Sequence, residues 1–400
     1  MNFRIDWPQR GHGFTEDEIA AVGEVMRAAG TPLTQGLHVK QFEEAFSTHI
    51  GVANAFATMS CAHALDIAAM LANVQPGDEV IIPAHTYCAS ALAFARRGAV
   101  IKWADIDPDS LTMAPDSLRQ LHTEKTKVIV LVHLYGLLSP HVEEISAFAK
   151  QHGIFLVEDC AQSLGARFGR KQAGSFGDIG CFSFHSQKNL TTLGEGGMIV
   201  VKDRKLAARV PGLRLNGHAP FADKREYWLP AMTNVDQDMA GTWPIKSTMT
   251  EVQAVVGKML LKRLDDLTAL RRQRGLTFRK EMKDFPELKF QAIHQAEAHS
   301  HHLLPAHYEA YGATRDDLIR MLSTQYKIKA IIQYYPLNRY DLFRKMGFGE
   351  ADIPVTDRFF DNMISIPFSL EIGEDDFGYL IESVKAAVSE LREVHLCGSR

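Results

Sequence analysis

The chain has 400 residues, 46% hydrophobic and 23% charged, the balance of a folded globular protein rather than a disordered or fibrous one. A net charge of −4 argues against nucleic acid or an anionic membrane as a partner. The first residues contain no apolar signal core, and no run approaches the roughly 18 apolar residues of a membrane span. We therefore expect a cytoplasmic protein, and its length predicts two packed domains rather than one.

Five cysteines are dispersed without a CxxC pair: Cys61, Cys88, Cys160, Cys181 and Cys397. An odd, scattered set is typical of reduced thiols and does not predict a disulfide framework or a zinc site. The five histidines between residues 294 and 307 lack cysteines or carboxylates at the spacing of a metal site. We expect no bound metal.

Two helices are predicted near the start of the chain, one ending at Gly30 and one at Gly51. Short β-branched runs then alternate with helical stretches such as Ala62–Leu71 and Val142–His152. The predicted strands are Glu79–Pro83, Lys127–Gly136, Ile154–Asp159 and Gly197–Asp203. This alternation predicts a mostly parallel sheet covered by helices on both faces, with ligands beyond the carboxyl ends of the strands.

The spacing of apolar residues from Thr250 to Arg274 predicts one long amphipathic helix. Beyond it the elements shorten, and the last predicted helix covers about Asp375–Val394. We place a domain boundary in the long helix. The prediction is a large α/β domain over residues 1–260, which includes the N-terminal helical segment, and a smaller α+β domain over residues 261–400.

The residues that carry chemistry follow two of the predicted strands. Asp159 ends the strand Ile154–Asp159, and Gln162 comes three residues later. Ser183 and Lys188 lie in one glycine-flanked segment before the next strand. Taken singly, a lysine here indicates a solvated surface residue and an aspartate indicates a helix cap. Together, an amine, a carboxylate and a hydroxyl are the groups that pyridoxal 5'-phosphate (PLP) requires, for its Schiff base, its pyridine nitrogen and its phosphate.

The motifs ED-x-AQ, GD-x-G-CFSF-x-x-x-KNL and GEGG resemble those of the DegT/StrS sugar aminotransferases, a branch of the fold-type I PLP enzymes. The stretches TQGLHVKQFEEAF, QPGDEVIIPAHTYCAS and MTEVQAVVGKMLLKRLDDL extend the resemblance across most of the chain. It implies a PLP-dependent transaminase with a large, mostly parallel mixed sheet and a smaller α+β C-terminal domain. It also implies a homodimer with shared active sites.

The resemblance implies roles for individual residues. Lys188 would hold PLP as a Schiff base and then move protons, and Asp159 would pair with the pyridine nitrogen. Gln162 would lie near the phenolic oxygen of the ring, and Ser183 would contact the phosphate. Tyr87 would stack on the ring, although a core aromatic is an equally good interpretation of that residue alone.

Three departures from the family pattern concern the phosphate and the substrate. The phosphate-binding turn is Ser60, Cys61 and Ala62 instead of serine, glycine and threonine, so backbone N–H groups at a helix start remain but a hydroxyl is lost. Lys246 stands where the family has an asparagine that reaches the partner's phosphate, and a surface lysine is the alternative.

In the third departure, Gln333 and Asn338 replace histidines of the segment around Tyr334. We predict His185, Tyr334 and Asn338 as substrate residues. Residues Asn216–Pro244 differ from the family core and would form either a substrate-covering loop or a surface insertion.

The predicted reaction transfers an amino group from glutamate or glutamine to a nucleotide-linked or phosphorylated keto sugar in amino-sugar biosynthesis. A keto-cyclitol aminotransferase is the alternative, as is a lyase or dehydratase of the same fold. Lys188 argues against a dehydratase, since such relatives carry histidine there, and Cys397 is a poor nucleophile for a desulfurase. A PLP-binding regulator would need a DNA-binding domain, for which neither end has room. The sequence does not identify the sugar, the carbon aminated or the amino donor.

Overall fold

The computed structural model describes residues 2–219, 234–236, 239 and 241–397. Among these residues a seven-stranded sheet and a three-stranded sheet dominate, and two antiparallel strand pairs account for the other strands. In chain order the strands are β1 (Ala55–Thr58), β2 (Glu79–Pro83), β3 (Val100–Ala104), β4 (Thr126–Val132), β5 (Phe155–Asp159), β6 (Arg167–Phe168), β7 (Lys171–Gln172), β8 (Ile179–Ser183), β9 (Gly197–Val201), β10 (His218–Ala219), β11 (Asn234–Val235), β12 (Leu288–Phe290), β13 (Leu304–Tyr308) and β14 (Met363–Ile366).

Helices surround the sheets, and among the described residues none is both long and apolar enough to cross a bilayer. They are α1 (Glu16–Arg27), α2 (Leu37–Ile50), α3 (Cys61–Leu71), α4 (Ala89–Ala95), α5 (Pro115–Leu121), α6 (Val142–His152), α7 (Arg204–Ala207), α8 (Val210–Leu213), α9 (Glu251–Lys262), α10 (Leu264–Glu281), α11 (Arg315–Thr324), α12 (Asp341–Lys345), α13 (Pro354–Asn362) and α14 (Glu374–Cys397).

The large sheet has the strand order β1-β9-β8-β5-β4-β2-β3. Strands β3, β2, β4, β5 and β8 pair in parallel, whereas β9 runs antiparallel to both β8 and β1. The predicted α/β class with a mostly parallel sheet is therefore confirmed. The carboxyl ends of β4, β5 and β8 lie side by side, which is where a parallel sheet binds ligands.

Alternate residues of the central strands enter two different hydrophobic cores. On β4, Val128 and Val130 pack on the face that holds α3 and α4. Ile129 and Leu131 pack on the opposite face, against α2, α6 and α9. Both faces of the sheet are thus covered, which explains why its strands are nearly continuous apolar runs.

The predicted single helix Thr250–Arg274 is wrong, because two helices meet at Arg263. The backbone there has φ −109° and ψ 9°, outside the helical region. The Arg263 side chain donates to the Glu18 carboxylate at 2.8 Å and to the Gly13 carbonyl at 2.9 Å. The break thus coincides with contacts to the N-terminal segment, and Glu18 is 245 residues away from Arg263 in the sequence.

The three-stranded antiparallel sheet β12-β13-β14 packs with α11 and α14 in a third hydrophobic core. Helix α10 joins the two parts, since Leu267 belongs to a core of the large sheet and Phe278 to this third core. The boundary at residues 260–261 stays a prediction. Most of the segment Asn216–Pro244 lies outside the described residues, so its predicted role stays a prediction.

Candidate active site

A cavity of about 480 Å³ opens at the carboxyl edge of the large sheet, where β4, β5 and β8 end. Its walls come from α3, from the segment before α4, from the segment after β8 and from the C-terminal region around Tyr334. The predicted residues that line it are Ser60, Cys61, Ala62, Tyr87, Asp159, Gln162, Ser183, His185, Lys188 and Tyr334. The structure thus brings most of the sequence-predicted set together.

Lys188 lies in the segment that follows β8, and the N-terminal segment of the chain fixes this backbone. The Gly11 N–H donates to the Ser186 carbonyl at 3.2 Å, and Gln187 Nε2 donates to the Pro8 carbonyl at 2.9 Å. A Cβ atom on Gly11 would lie 2.2 Å from the Lys188 carbonyl oxygen, so only glycine permits this close approach. The lysine is therefore presented to the cavity on a tightly held backbone.

Burial lowers the pKa of the Lys188 ammonium, although the negative charges of Asp159 and Glu195 oppose this effect. Desolvation disfavours the charged form of an amine, so a lower pKa increases the neutral fraction. The neutral amine is the form that attacks an aldehyde or accepts a proton from carbon.

Asp159 is 5% exposed at the end of β5, and its two oxygens face different donors. Ser90 Oγ donates to Oδ2 at 2.7 Å, and the Ala161 N–H donates to Oδ1 at 3.0 Å. Cys61 Sγ lies 3.9 Å from Oδ1. Burial raises the pKa of the Cys61 thiol well above its ordinary value, so this group stays protonated and donates.

The N-terminus of α3 forms one end of the cavity. Ser60 is its N-cap, and the Ser60 side chain accepts the His63 N–H at 3.2 Å. The N–H groups of the first turn, from Cys61 onward, precede the acceptors of the helix itself and attract an anion. A Cβ on Gly197 of β9 would lie 2.4 Å from the Ser60 carbonyl carbon, so the strand packs directly behind this turn.

Gln162 connects the large sheet to the C-terminal region. Its Nε2 donates to the Tyr334 hydroxyl at 2.7 Å, and its Oε1 accepts the Tyr135 N–H at 2.6 Å. The Tyr135 hydroxyl in turn donates to the Gln333 carbonyl. Burial raises the pKa of the Tyr334 phenol, which keeps the hydroxyl neutral inside the cavity.

Three predicted residues do not lie deep in the cavity: Tyr87 is at its rim, and Lys246 and Asn338 are outside its lining. Tyr87 is 59% exposed at the rim, with its ring 6.2 Å from that of Tyr334. In the described part of the chain, Lys246 is exposed and lies outside the cavity lining. Asn338 is also outside the lining; it is buried and its Nδ2 donates to the Gly349 carbonyl at 3.4 Å.

Sequence reasoning missed several residues that complete the site. Ser90 and Thr86 support Asp159, and Glu195 and Gln187 line the cavity beside Lys188. One signal for Ser90 was available, since it is a lone hydroxyl in the apolar helix segment ASALAFA. No sequence pattern indicates that residues 8–11 hold the backbone around Lys188, because these contacts depend on tertiary packing.

The residues present fit PLP. An amine of lowered pKa, an ionisable carboxylate with its own donors and a helix N-terminus flanked by the Ser60 and Ser183 hydroxyls share one cavity. These groups match the aldehyde, the ring nitrogen and the phosphate of the cofactor, respectively. Lys188, Asp159 and the Ser60–Ala62 turn would hold it.

Comparison with known proteins defines the class. A profile of the DegT/DnrJ/EryC1/StrS aminotransferase family matches residues 13–385. The chain is 32% identical over 376 residues to the spore coat polysaccharide biosynthesis protein SpsC of Bacillus subtilis, covering 93% of this chain and 95% of that protein. It is 37% identical over 236 residues to the GDP-perosamine synthase of Caulobacter vibrioides, covering 59% of each.

Among solved structures, the putative sugar aminotransferase Spr1654 of Streptococcus pneumoniae in its PMP form superimposes with a TM-score of 0.84. The sequence identity is 28%, and the match covers 96% of this chain and all of that one. The fold is thus that of the fold-type I PLP-dependent aminotransferases. The chain belongs to the DegT/DnrJ/EryC1/StrS aminotransferase family, and it is a transaminase.

Proposed function

We propose that this protein transfers an amino group from glutamate or glutamine to a keto sugar that carries a nucleotide or a phosphate. The observation that supports the proposal most strongly is the shared cavity of Lys188, Asp159 and the anion-binding turn at the end of the sheet. The similarity to a GDP-perosamine synthase favours a nucleotide-linked sugar as the acceptor.

Each side chain in the cavity has a role in this reaction. PLP, when bound, supplies an electron sink for the carbon that gains or loses the amino group. Lys188 would hold the cofactor and would move the proton to and from that carbon, and its buried environment favours the neutral amine. Asp159, which accepts from Ser90 and from the Ala161 N–H, would pair with the ring nitrogen. Gln162 and Tyr334 orient polar groups on the side of the C-terminal region.

The cofactor assignment is tested on the purified protein. We expect bound PLP, visible as a yellow colour whose absorbance shifts when glutamate is added. Borohydride reduction followed by peptide mapping should place the cofactor on Lys188, and an adduct on another lysine would contradict the assignment. Lys188→Ala should fold normally, retain PLP only non-covalently and lose turnover by more than the roughly 10²–10⁴-fold of a single proton transfer.

The substrate is tested with a panel of keto sugars, each as a nucleoside diphosphate, a simple phosphate and a free sugar, together with a keto-cyclitol. Glutamate and glutamine serve as donors in parallel. We expect turnover to be highest with a nucleotide-linked acceptor. Preference for the keto-cyclitol would replace the keto sugar in the proposal while leaving the transaminase assignment intact.

We further propose that the active unit is a homodimer in which Lys246 binds the phosphate in the partner's site. Its exposure, outside the cavity of its own chain, is compatible with a contact across a twofold interface. A charge-assisted bond to phosphate contributes about 1.5–3 kcal/mol, so Lys246→Ala should weaken PLP binding more than tenfold. The exposed Lys205→Ala serves as a control and should bind PLP normally. A monomer of full activity, or unchanged PLP affinity in Lys246→Ala, would refute this proposal.

A further inference from the structure

The donors around Asp159 form an ordered chain of buried hydroxyls. Ser90 Oγ lies 2.7 Å from Asp159 Oδ2, and Thr86 Oγ1 lies 3.1 Å from Ser90 Oγ. Ser90 is 0% exposed and Thr86 is 1% exposed, while the Thr86 side of the chain borders the cavity. Thr86 lies in the short segment that connects β2 with α4, next to Tyr87, and Ser90 lies in the first turn of α4.

The direction of these hydrogen bonds follows from the number of protons. An ionised carboxylate only accepts, so the single hydroxyl proton of Ser90 goes to Asp159. Ser90 Oγ then has only lone pairs to offer Thr86, and Thr86 must be the donor. The chain therefore runs from Thr86 to Ser90 to Asp159, and each bond polarises the next.

We propose that Thr86 and Ser90 are positioning residues that hold the Asp159 carboxylate in one orientation for the ring nitrogen of the cofactor. This inference rests on the proposed function. Donation to the ionised form of a carboxylate favours that form over the protonated one. With PLP bound, an Asp159 carboxylate that already accepts from Ser90 would attract the proton of the ring nitrogen less, so that proton would remain on the ring, which is the state that withdraws electrons.

A second chain of hydrogen-bonded hydroxyls, elsewhere in the protein, provides a control for these substitutions. Thr112 Oγ1 lies 3.0 Å from both Ser110 Oγ and Ser139 Oγ, and all three residues are buried. This second hydroxyl chain does not border the cavity in the described residues. Thr112→Val removes the same kind of bond as Thr86→Val, so it measures the structural cost alone.

The test measures PLP affinity and the pH profile of the bound cofactor's absorbance, starting from apoprotein. Ser90→Ala should weaken PLP binding about tenfold and Thr86→Val about threefold, because the latter acts one bond further away. Thr86→Ser, which retains the hydroxyl, and Thr112→Val should both match the wild type. The absorbance profile should shift in Ser90→Ala and Thr86→Val only.

A cofactor analogue separates a role toward the ring nitrogen from a role in folding. In 1-deazapyridoxal 5'-phosphate, carbon replaces that nitrogen, so Ser90→Ala should change its affinity by about twofold or less. Ser90→Ala should likewise have little effect in an Asp159→Asn background. Equal weakening for PLP and for the analogue, or unchanged PLP affinity and spectra in both Ser90→Ala and Thr86→Val, would overturn the inference. A wild-type protein that binds no PLP would instead refute the proposed function.

Discussion

Two neighbouring carboxylates at the end of β5 have opposite surroundings. Glu158 and Asp159 are adjacent, so their side chains point to opposite faces of the sheet. Glu158 is fully buried and accepts from His133 Nε2 at 2.8 Å and from three backbone N–H groups of residues 174–177, at 2.5 to 2.8 Å. Asp159 accepts from a hydroxyl, a backbone N–H and a thiol, and it borders the cavity.

The difference separates a carboxylate that is saturated by protein donors from one that we propose binds the cofactor. Four donors from the protein leave Glu158 no capacity for a ligand, and they connect β4 with the segment before β8. His133 Nδ1 accepts the Ser139 N–H, so the proton of this imidazole is on Nε2, facing Glu158. Asp159, by contrast, keeps an edge open to the cavity. The two adjacent carboxylates thus differ in the donors around them and in their access to the cavity.

The largest expected effect comes from substitution of Asp159, the carboxylate that borders the cavity. Asp159→Asn should reduce turnover by about 10²-fold or more while leaving the thermal midpoint close to that of the wild type, since a neutral amide cannot hold the ring nitrogen protonated. Asp159→Glu should also be impaired, because the carboxylate is displaced. Steady-state kinetics and thermal unfolding are measured together. Normal kinetics in Asp159→Asn would show that another carboxylate has this role.

Substitution of Glu158, the buried carboxylate, should reduce stability and leave substrate binding nearly unchanged. Glu158→Gln turns an amide toward backbone N–H donors, so we expect a loss of about 2–4 kcal/mol in the free energy of unfolding. The folded fraction should retain near-normal KM for the substrates. Glu143→Gln, at an exposed position on α6, is the control and should change stability by no more than about 0.5 kcal/mol. A stable Glu158→Gln protein with poor turnover would reverse the assignment of the two carboxylates.

A smaller effect is expected in the pH dependence of stability. Burial alone would raise the pKa of Glu158, but the hydrogen bonds from His133 and from the backbone at Gly177 and Gly174 hold that pKa below the ordinary 4.5. Because the pKa of Glu158 is lower in the folded state than in the unfolded state, ionised Glu158 stabilises the fold. This stabilisation is fully present above the pKa of the unfolded state and is lost as the pH falls through the pKa of the folded state. Denaturant unfolding of the wild type and Glu158→Gln should therefore converge as the pH falls below about 4.5. If the difference in the free energy of unfolding between the two proteins stayed constant across this pH range, Glu158 would not be the source of the pH dependence.

Much of the site could be predicted because its residues are close in sequence. Asp159, Gln162, Ser183 and Lys188 follow two adjacent strands, so placing those strands in one parallel sheet also places the residues. The family resemblance then supplies the roles. The helix start at Ser60 could also be read locally, since serine is a favoured N-cap.

What could not be predicted depends on contacts between distant segments. The break at Arg263 coincides with a contact to Glu18, and apolar periodicity continues through it. The hydrogen bond from Gln162 to Tyr334 requires a docking of the C-terminal region that no local pattern encodes. Asn338 was expected in the site from its alignment with a family histidine, yet its side chain packs toward Gly349, away from the cavity lining.

The N-terminal segment that fixes the lysine backbone also joins that backbone to the C-terminal region. The Arg4 N–H donates to the Lys327 carbonyl at 2.8 Å, and the Lys329 N–H donates to the Ile5 carbonyl at 2.9 Å. Residues 4–11 thus connect the backbone around Lys188 to residues 327–329 through one continuous stretch of chain. The support of Lys188 therefore depends on both parts of the molecule, and not on the large sheet alone.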